Sequence, residues 1–319
     1  MPGDPNEIST KMRPAQSLER PAFAMPAGAC DAHMHVFEAR GEFPSTPLLY
    51  PSVPDANYTL PDGGLDHYLK LMPVLGIDNF VIVQPSFYGT DNSCLIDALA
   101  DAGPIARGIV NIEPSVSDVE LERLHDAGVR GVRLDLFKRA SLPIAEIHAY
   151  IRQMAARVAP LGWHLQFYTP GAIVRDSMDM LAELEIAFVV DHMGYMLAKD
   201  GLTEDDFERM LGLLRDGHCW LKLSAPYRLA RHSSLEAVDR VARAIVAAAP
   251  QKVLWGSDWP HIPDGTRDTG ELLNALAIWA PDAVTRRMIL VDNPRQLFDF
   301  AAAPAGQDAT STDRVGMAT

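Results

Sequence analysis

Eight short apolar runs, separated by amphipathic helical patterns, constrain the fold of this chain more than any other feature of its sequence. The runs lie at residues 29–37, 79–85, 105–112, 128–136, 162–169, 187–193, 219–224 and 252–260. Most are continuously apolar at their starts, which is typical of strands buried on both faces of a parallel sheet. Helical patterns such as residues 116–128 and 203–217 contain Ser, Thr or Asp at their starts and stop at Gly. Strands and helices alternating in this way predict an α/β fold, the (β/α)8 TIM barrel.

An open, doubly wound parallel sheet is the alternative to the barrel. Such a sheet normally carries a Gly-rich phosphate-binding turn after its first strand, and HMHVFEARGEF at residues 33–43 lacks the GxGxxG spacing. No linker-like segment divides residues 27–302, so we predict one barrel domain over that range. Residues 1–26 and 303–319 have no apolar periodicity, which predicts a flexible N-terminal arm and a disordered tail.

Charge and hydropathy exclude several classes of partner. The 319 residues carry a formal net charge of −14, so a nucleic acid would be repelled unless a local basic patch intervened. No apolar run approaches the roughly 20 residues that span a bilayer, and the N-terminus has no apolar signal segment. The three cysteines are scattered and lack CxxC spacing, which is typical of reduced thiols. We therefore expect a cytoplasmic protein without nucleic-acid or membrane partners; a homo-oligomer is compatible with the sequence.

Polar side chains follow most of the predicted strands, at the end where a barrel of this type carries its chemistry. His33 and His35 lie two residues apart on the first strand and therefore share a face. The polar groups after the other strands are Gln84, Ser86, Tyr88, Arg133, Arg139, Gln166, Tyr168, Asp191, His192, Ser224, Tyr227, Arg228, Asp258 and His261. Their joint occurrence predicts an active site at the barrel mouth.

Several of these segments resemble the amidohydrolase superfamily, and within it the metal-independent lactonase branch that includes the pyrone-dicarboxylate lactonases. The similarity is carried by DAHMHVF at 31–37, an Arg-x5-Arg pair at 133–139, DHMG at 191–194 and LWGSDWPH at 254–261. With the segments between them, the resemblance extends from residue 31 to about 298. It implies hydrolysis of the ester bond of an anionic lactone, such as 2-pyrone-4,6-dicarboxylate, in aromatic or sugar-acid catabolism.

The resemblance also implies a role for each catalytic candidate. Ester hydrolysis needs a base for water and a stabiliser for the developing oxyanion. By analogy, Asp258 activates the water. His33, His35 and His192 surround the lactone carbonyl oxygen and polarise it.

Metal dependence is a separate question. Metal-binding relatives usually place a histidine at the end of the fifth strand, where this chain has Tyr168, and the fourth strand offers Asp135 without a bridging Lys or Glu. These differences favour a reaction without a metal cofactor. Zinc stays as the alternative, because His33, His35 and Asp258 provide the three protein ligands that a catalytic zinc site can have.

The cations after the strands indicate the substrate class. Arg133, Arg139 and Arg228 are expected to bind carboxylates of a small anionic lactone, because guanidinium groups bind carboxylates bidentately. The neutral substrate-binding candidates are Ser86, Tyr88, Thr90, Tyr168 and His261, together with Tyr50 in the long loop after the first strand. Tyr195 stands where the pyrone lactonases have a carboxylate-binding Arg, so the exact lactone stays open, with sulfomuconolactone and aldarolactones as alternatives.

Two rival functions remain. One is a zinc-dependent decarboxylase of the same superfamily, and the other is a non-catalytic carboxylate-binding barrel.

Overall fold

The computed structural model describes residues 13–37, 63–197, 202–262 and 265–301. Eight parallel strands follow one another in the order of the sequence, each hydrogen-bonded to the next. They are β1 Cys30–Met34, β2 Asn79–Val83, β3 Ala106–Val110, β4 Val129–Asp135, β5 His164–Tyr168, β6 Phe188–Val190, β7 Cys219–Leu223 and β8 Val253–Trp255. Each strand lies inside one of the predicted apolar runs, which confirms the (β/α)8 TIM barrel.

The barrel closes between the end of β1 and the segment after β8. The amide of His35 donates to the carbonyl of Trp259 at 2.8 Å, and the amide of Asp258 donates to the carbonyl of His33 at 2.8 Å. Below them the buried Asp31 carboxylate accepts the amide of Ser257 at 2.9 Å. These contacts hold the two polar strand ends side by side.

Helices cover the outside of the barrel. They are α1 Leu65–Leu75, α2 Ser93–Ala102, α3 Asp118–Asp126, α4 Ile144–Val158, α5 Gly171–Ala182, α6 Glu204–Asp216, α7 Pro226–Ala230, α8 Leu235–Ala248, α9 Thr269–Asn274, α10 Leu276–Trp279, α11 Ala283–Arg287 and α12 Asn293–Phe298. Helix α6 begins with a capping box between Thr203 and Asp206. Ser117 caps α3 by accepting the amide of Glu120. None of the helices in the described ranges is long and apolar enough to cross a membrane.

The interior of the barrel is apolar toward its N-terminal end and charged toward its mouth. Val189 of β6 and Trp220 of β7 belong to a buried apolar cluster that Phe298 and Phe300 join from below. Because side chains alternate along a strand, the next inward positions on β6 and β7 are Asp191 and Lys222. The apolar layer therefore supports a charged layer directly above it.

The N-terminal segment is packed on the barrel over its described part. The amide of Glu19 donates to both carboxylate oxygens of Asp268 at 3.1 Å, and the amide of Arg13 donates to the carbonyl of Gly265 at 3.0 Å. Leu18 is buried. Residues 13–26 of the predicted flexible arm are thus docked beside α9. The predicted tail, 303–319, lies outside the described residues.

Candidate active site

Four of the predicted catalytic side chains meet at the mouth of the barrel. From Asp258 Oδ1 the distances to the Nε2 atoms of His35, His33 and His192 are 3.5, 3.7 and 3.8 Å. The Nε2 atoms of His33 and His35 are 3.4 Å apart. All four residues are buried. One carboxylate oxygen is therefore surrounded by three imidazoles.

The backbone that carries these groups is held in an unusual conformation. His192 has a φ of 53° and Asp258 a φ of 60°, both in the left-handed region that non-glycine residues rarely adopt. Such residues cost on the order of 1–3 kcal/mol each and persist only where the surrounding structure holds them. Strain of this kind tends to occur at active sites.

Hydrogen bonds orient the rings of His35 and His192. His35 Nδ1 lies 2.7 Å from the carbonyl of Val83, so this nitrogen carries a proton and donates it. In the neutral tautomer that this bond selects, the nitrogen without a proton is Nε2, on the side of the cluster. His192 Nδ1 lies 2.8 Å from Ser224 Oγ. Burial lowers the pKa of His192 to about 4, despite the nearby Asp258, so this imidazole is neutral near pH 7.

A buried network, which we call the Lys222 network, lies beneath His33 and consists of Lys222, Gln166, Asp191 and Arg133. Lys222 Nζ donates to Gln166 Oε1 at 2.7 Å and lies 3.3 Å from His33 Nδ1 and 3.4 Å from Asp191 Oδ1. Gln166 in turn donates to Asp191 Oδ2 at 3.0 Å, and Arg133 Nε lies 3.5 Å from the same oxygen. The network thus joins His33 to two cations and one carboxylate.

Burial dominates the protonation of this network. It lowers the pKa of His33 well below its usual value, with Asp191 opposing the shift and Lys222 adding to it. Burial also lowers the pKa of Lys222 to about 8, although Asp191 raises it. Burial alone would raise the pKa of Asp191, but the cations Lys222, first, and Arg133 hold it well below the usual range. Near neutral pH the layer holds an ammonium group and a carboxylate beneath a neutral imidazole.

Lys222 was not predicted as a site residue. It lies in the apolar run CWLKLS, where the period of two from Trp220 turns it inward. That alternation, combined with the rarity of a fully buried lysine, is the signal that could have identified it.

Asp258 is ionised and firmly held. Its Oδ2 accepts the hydroxyl of Tyr227 at 2.5 Å and two donors of Arg228, Nε at 3.1 Å and Nη2 at 3.0 Å. Burial alone would raise the pKa of Asp258, but the guanidinium of Arg228 holds it well below the usual range. Arg228, predicted to bind substrate, here binds the carboxylate of the candidate base.

A cationic pocket of about 280 Å³ lies beside this cluster at the ends of β3 and β4. Thr90, Arg133 and Arg139, all predicted to bind substrate, line it together with Lys138 and Tyr150. The guanidinium of Arg139 stacks over the Tyr150 ring at 3.9 Å. Lys138 was not predicted. The pocket offers several donors to an anionic group.

The remaining substrate-binding candidates have other neighbours. Ser86 Oγ donates to Asp135 Oδ2 at 2.8 Å, at the edge of the cationic pocket. Tyr88 is buried with its ring 4.8 Å from that of Phe87. His261 Nε2 lies 2.9 Å from Thr269 Oγ1.

Tyr168 lies between the cationic pocket and the imidazoles. The Arg133 guanidinium is 4.5 Å from the centre of its ring, and the His192 ring centre is 6.0 Å away. Tyr50 lies outside the described residues.

The cluster has donors suited to a divalent ion. Ligand atoms of His33, His192 and Asp258 all lie within 4.8 Å of one another. Ligands of a tetrahedral zinc, with bonds of about 2.1 Å, stand about 3.4 Å apart, close to the separations from Asp258 Oδ1. The predicted set contained His35 in place of His192. These residues therefore fit a metal ion, and the absence of a metal cofactor stays a prediction.

Comparisons with known proteins identify the family of this chain. The amidohydrolase family profile matches residues 30–300. This chain belongs to the amidohydrolase family. A 2-pyrone-4,6-dicarboxylate hydrolase from Comamonas testosteroni is 36% identical over 293 residues, covering 88% of this chain and 92% of that protein.

Two further relatives extend the comparison. A 4-sulfomuconolactone hydrolase from Hydrogenophaga intermedia is 33% identical and covers 94% of this chain and 98% of its own length. The crystal structure of an Agrobacterium tumefaciens protein, in its apo form, is 27% identical with a TM-score of 0.76, covering 89% of this amidohydrolase and all of that chain. The family resemblance drawn from the sequence is thus confirmed.

Proposed function

We propose that this amidohydrolase hydrolyses the ester bond of a small anionic lactone. The observation that carries the proposal is the ionised Asp258, whose Oδ1 faces three imidazole nitrogens beside a cationic pocket. The similarity to two named lactone hydrolases, each over most of its length, supports the same reaction class. An anionic lactone such as 2-pyrone-4,6-dicarboxylate suits the arginines of the pocket.

In the proposed reaction Asp258 acts as the general base. Its Oδ1 takes a proton from water while the water oxygen bonds to the lactone carbonyl carbon. The tetrahedral intermediate then collapses, the ring C–O bond breaks, and Asp258 returns the proton to the leaving oxygen. Arg228 and Tyr227 keep the carboxylate oriented by holding Oδ2, so that Oδ1 alone is available for proton transfer.

Two of the imidazoles can donate a hydrogen bond to the developing oxyanion. If the ammonium of Lys222 donates to Nδ1 of His33, the proton of that ring is on Nε2, facing the cluster. The hydroxyl of Ser224 can act in the same way on His192. His35 instead donates from Nδ1 to Val83 and accepts at Nε2. Donors preorganised in a buried site stabilise an oxyanion strongly.

We propose that this chemistry runs without a metal cofactor. Lys222 beside His33 favours a proton on the nitrogen that would otherwise bind a metal, and Arg228 already neutralises Asp258. If an ion does bind, His33, His192 and Asp258 would hold it, and it would polarise the carbonyl or the water. The same donor set is the observation that favours a zinc-dependent decarboxylase as the second candidate.

We also propose a cellular compartment and a set of excluded partners for this protein. Cys30, Cys94 and Cys219 are buried and none of the three is in a disulfide, which supports a reducing compartment such as the cytoplasm. The formal net charge of −14 supports the proposal that nucleic acids and anionic membranes are not partners. Homo-oligomerisation stays a proposal.

The test is an ultraviolet assay of ring opening on pyrone dicarboxylate, muconolactones, sulfomuconolactone and aldarolactones. Asp258→Asn should lower kcat by at least about 10³ while the lactone still binds, because the amide cannot accept the proton. Normal turnover by Asp258→Asn would refute the role of this residue.

A second arm addresses the metal. Protein purified without added zinc is measured for metal content and assayed after chelation. Activity that survives chelation supports the metal-free reaction. Stoichiometric zinc whose removal abolishes activity contradicts it, and release of CO₂ in place of ring opening would favour the decarboxylase.

A further inference from the structure

A second groove lies between the docked N-terminal segment and helix α1. We call it the N-terminal groove, and it is lined by residues 13–16, Arg20, four residues of α1 and Trp259. Its volume is about 500 Å³, compared with about 280 Å³ for the cationic pocket beside the catalytic cluster. Small-molecule sites usually measure about 300–1,000 Å³, so the groove is large enough for an organic ligand.

The charged side chains that line the N-terminal groove are all cationic. Arg13, Arg20 and Lys70 line it, and no Asp or Glu of the described residues does. Glu19 and Asp66, which are close in sequence to Arg20 and Lys70, are not among the lining residues. In a chain with a formal net charge of −14, such a local excess of positive charge favours an anionic ligand.

Two of these three cations are available to a ligand. Arg13 Nη2 lies 3.2 Å from Asp268 Oδ2, so the charge of Arg13 is balanced within the protein. Arg20 and Lys70 are exposed, and neither forms an ion pair with a residue that the structure describes. A guanidinium and an ammonium group therefore remain to bind a carboxylate of the ligand.

The rest of the lining is largely apolar. Leu71 and Trp259 are buried, at 3% and 1% exposure, and Ala15 and Val74 are half-buried against the core. An inorganic anion would leave this apolar surface in contact with water. An organic anion would cover it and gain about 25 cal/mol for each Å² of apolar area removed from water.

The N-terminal groove is separate from the catalytic cluster. It shares no lining residue with the cationic pocket beside that cluster. The Trp259 ring packs on helix α1, with its centre 5.3 Å from that of Tyr68. The Tyr68 hydroxyl in turn donates to the buried Asp31 at 2.8 Å. The groove thus lies against the side of Trp259 that faces α1, whereas the imidazoles of the cluster lie at the mouth of the barrel.

We propose that the N-terminal groove is a second ligand site, which binds a small organic carboxylate with an apolar body. Arg20 and Lys70 bind the carboxylate, and Leu71, Val74 and Trp259 contact the apolar part. The site does not depend on the proposed lactone hydrolysis, because its residues lie outside the catalytic cluster and the ligand need not react.

Three small molecules separate the contribution of charge from that of the apolar body. 2-Naphthoate has both, naphthalene-2-carboxamide keeps the rings without the charge, and acetate keeps the charge without the rings. Their dissociation constants for the whole protein are measured by calorimetry at low ionic strength, where exposed cations are least screened. We expect 2-naphthoate to bind at least about 10-fold more tightly than either of the others.

Paired substitutions locate the bound acid. Replacing Arg20 and Lys70 together by Gln should weaken 2-naphthoate at the groove by at least about 10-fold, because hydrogen bonds to charged groups are lost. Replacing Arg215 of α6 and Arg243 of α8 together by Gln removes the same charge at exposed positions on outer helices and should have no such effect. Equal weakening by the two double variants would overturn the proposal, because a general change of net charge would then explain it.

A further variant separates the groove from the mouth, where 2-naphthoate can also bind. Arg139→Gln removes a cation of the mouth pocket and should leave binding in the groove intact. The groove is thus identified by the binding that Arg139→Gln retains and the Arg20 and Lys70 double variant loses. If the wild type does not bind 2-naphthoate, or if the double variant binds it as the wild type does, the proposal is overturned. Neither result depends on whether the protein opens a lactone.

Discussion

Lys222 provides the sharpest test of how the buried layer supports the site. Lys222→Met keeps much of the side-chain volume and removes the ammonium group. The hydrogen bond to Gln166 at 2.7 Å and the contacts to His33 and Asp191 are lost together. Asp191 then stays buried with Arg133 as its remaining cation, at 3.5 Å. Breaking a buried ion pair by removing one partner typically costs about 3–5 kcal/mol, so we expect the free energy of unfolding to fall by that amount.

The same substitution should change the chemistry. Without the ammonium group, His33 Nδ1 faces Asp191 Oδ1 at 3.3 Å and becomes the protonated nitrogen. Nε2 then presents a lone pair to the cluster, and one donor to the oxyanion is lost. Removing such a donor costs about 10²–10³ in kcat. The lone pair should also raise the affinity of the site for zinc, because a metal ligand must be unprotonated.

Urea unfolding, steady-state kinetics and zinc titration measure these three effects. Lys252→Met is the matched control, since Lys252 lies over the Trp220 ring at 4.7 Å and outside the Lys222 network. Its loss should cost no more than about 1 kcal/mol. If Lys222→Met and Lys252→Met have the same stability and turnover, Lys222 neither stabilises the buried layer nor sets the proton on His33.

Two further predictions concern stability and packing. His164 is buried with its pKa lowered to about 3, chiefly by burial, so the unfolded chain binds more protons and stability falls as the pH drops from about 6.5 toward 3. His164→Leu should lessen that dependence by up to about 1.4 kcal/mol per pH unit in urea unfolding; identical slopes would contradict the assignment. At Gly256 a Cβ would lie 2.5 Å from the Cβ of His33, so Gly256→Ala should displace His33, cost about 1–3 kcal/mol and lower kcat. Gly212→Ala, in α6 with nothing within 4 Å of the new Cβ, should instead stabilise the protein slightly, and equal effects of the two substitutions would refute the steric argument.

The fold could be predicted because the strand and helix patterns of the sequence agree with the barrel that these elements form. Runs that are apolar on both faces form the strands, and capping residues such as Ser117 and Thr203 begin helices where expected. The observed β6 and β8 are shorter than their predicted runs, covering Phe188–Val190 and Val253–Trp255. Their predicted ends contain Asp191, His192 and Asp258, which leave the strand to form the site. These polar residues lengthened the predicted strand segments, but they do not take part in the hydrogen-bonded sheet.

The residues of the candidate site could be predicted from the sequence, but some of their contacts with one another could not. His33, His35, His192 and Asp258 meet because the C-terminal ends of parallel strands share one end of the barrel. The partner of Arg228 depends on where α7 begins, and Ala225 before it has a left-handed φ of 47°, which a strand pattern does not reveal. The docking of residues 13–26 depends on Asp268, about 250 positions away in the sequence, and a local composition argument cannot detect such a contact.

The choice between two chemistries depends on which neighbour controls Nδ1 of His33. Asp191 and Lys222 lie equally close to that atom, at 3.3 Å, and they favour opposite tautomers. A carboxylate at Nδ1 is the usual support for a histidine that binds a metal, since it leaves Nε2 unprotonated. An ammonium at the same atom moves the proton to Nε2 and makes the ring a donor. Because Gln166 binds both Lys222 and Asp191, it holds the two competitors in place together, and the catalytic character of His33 follows from the balance between them.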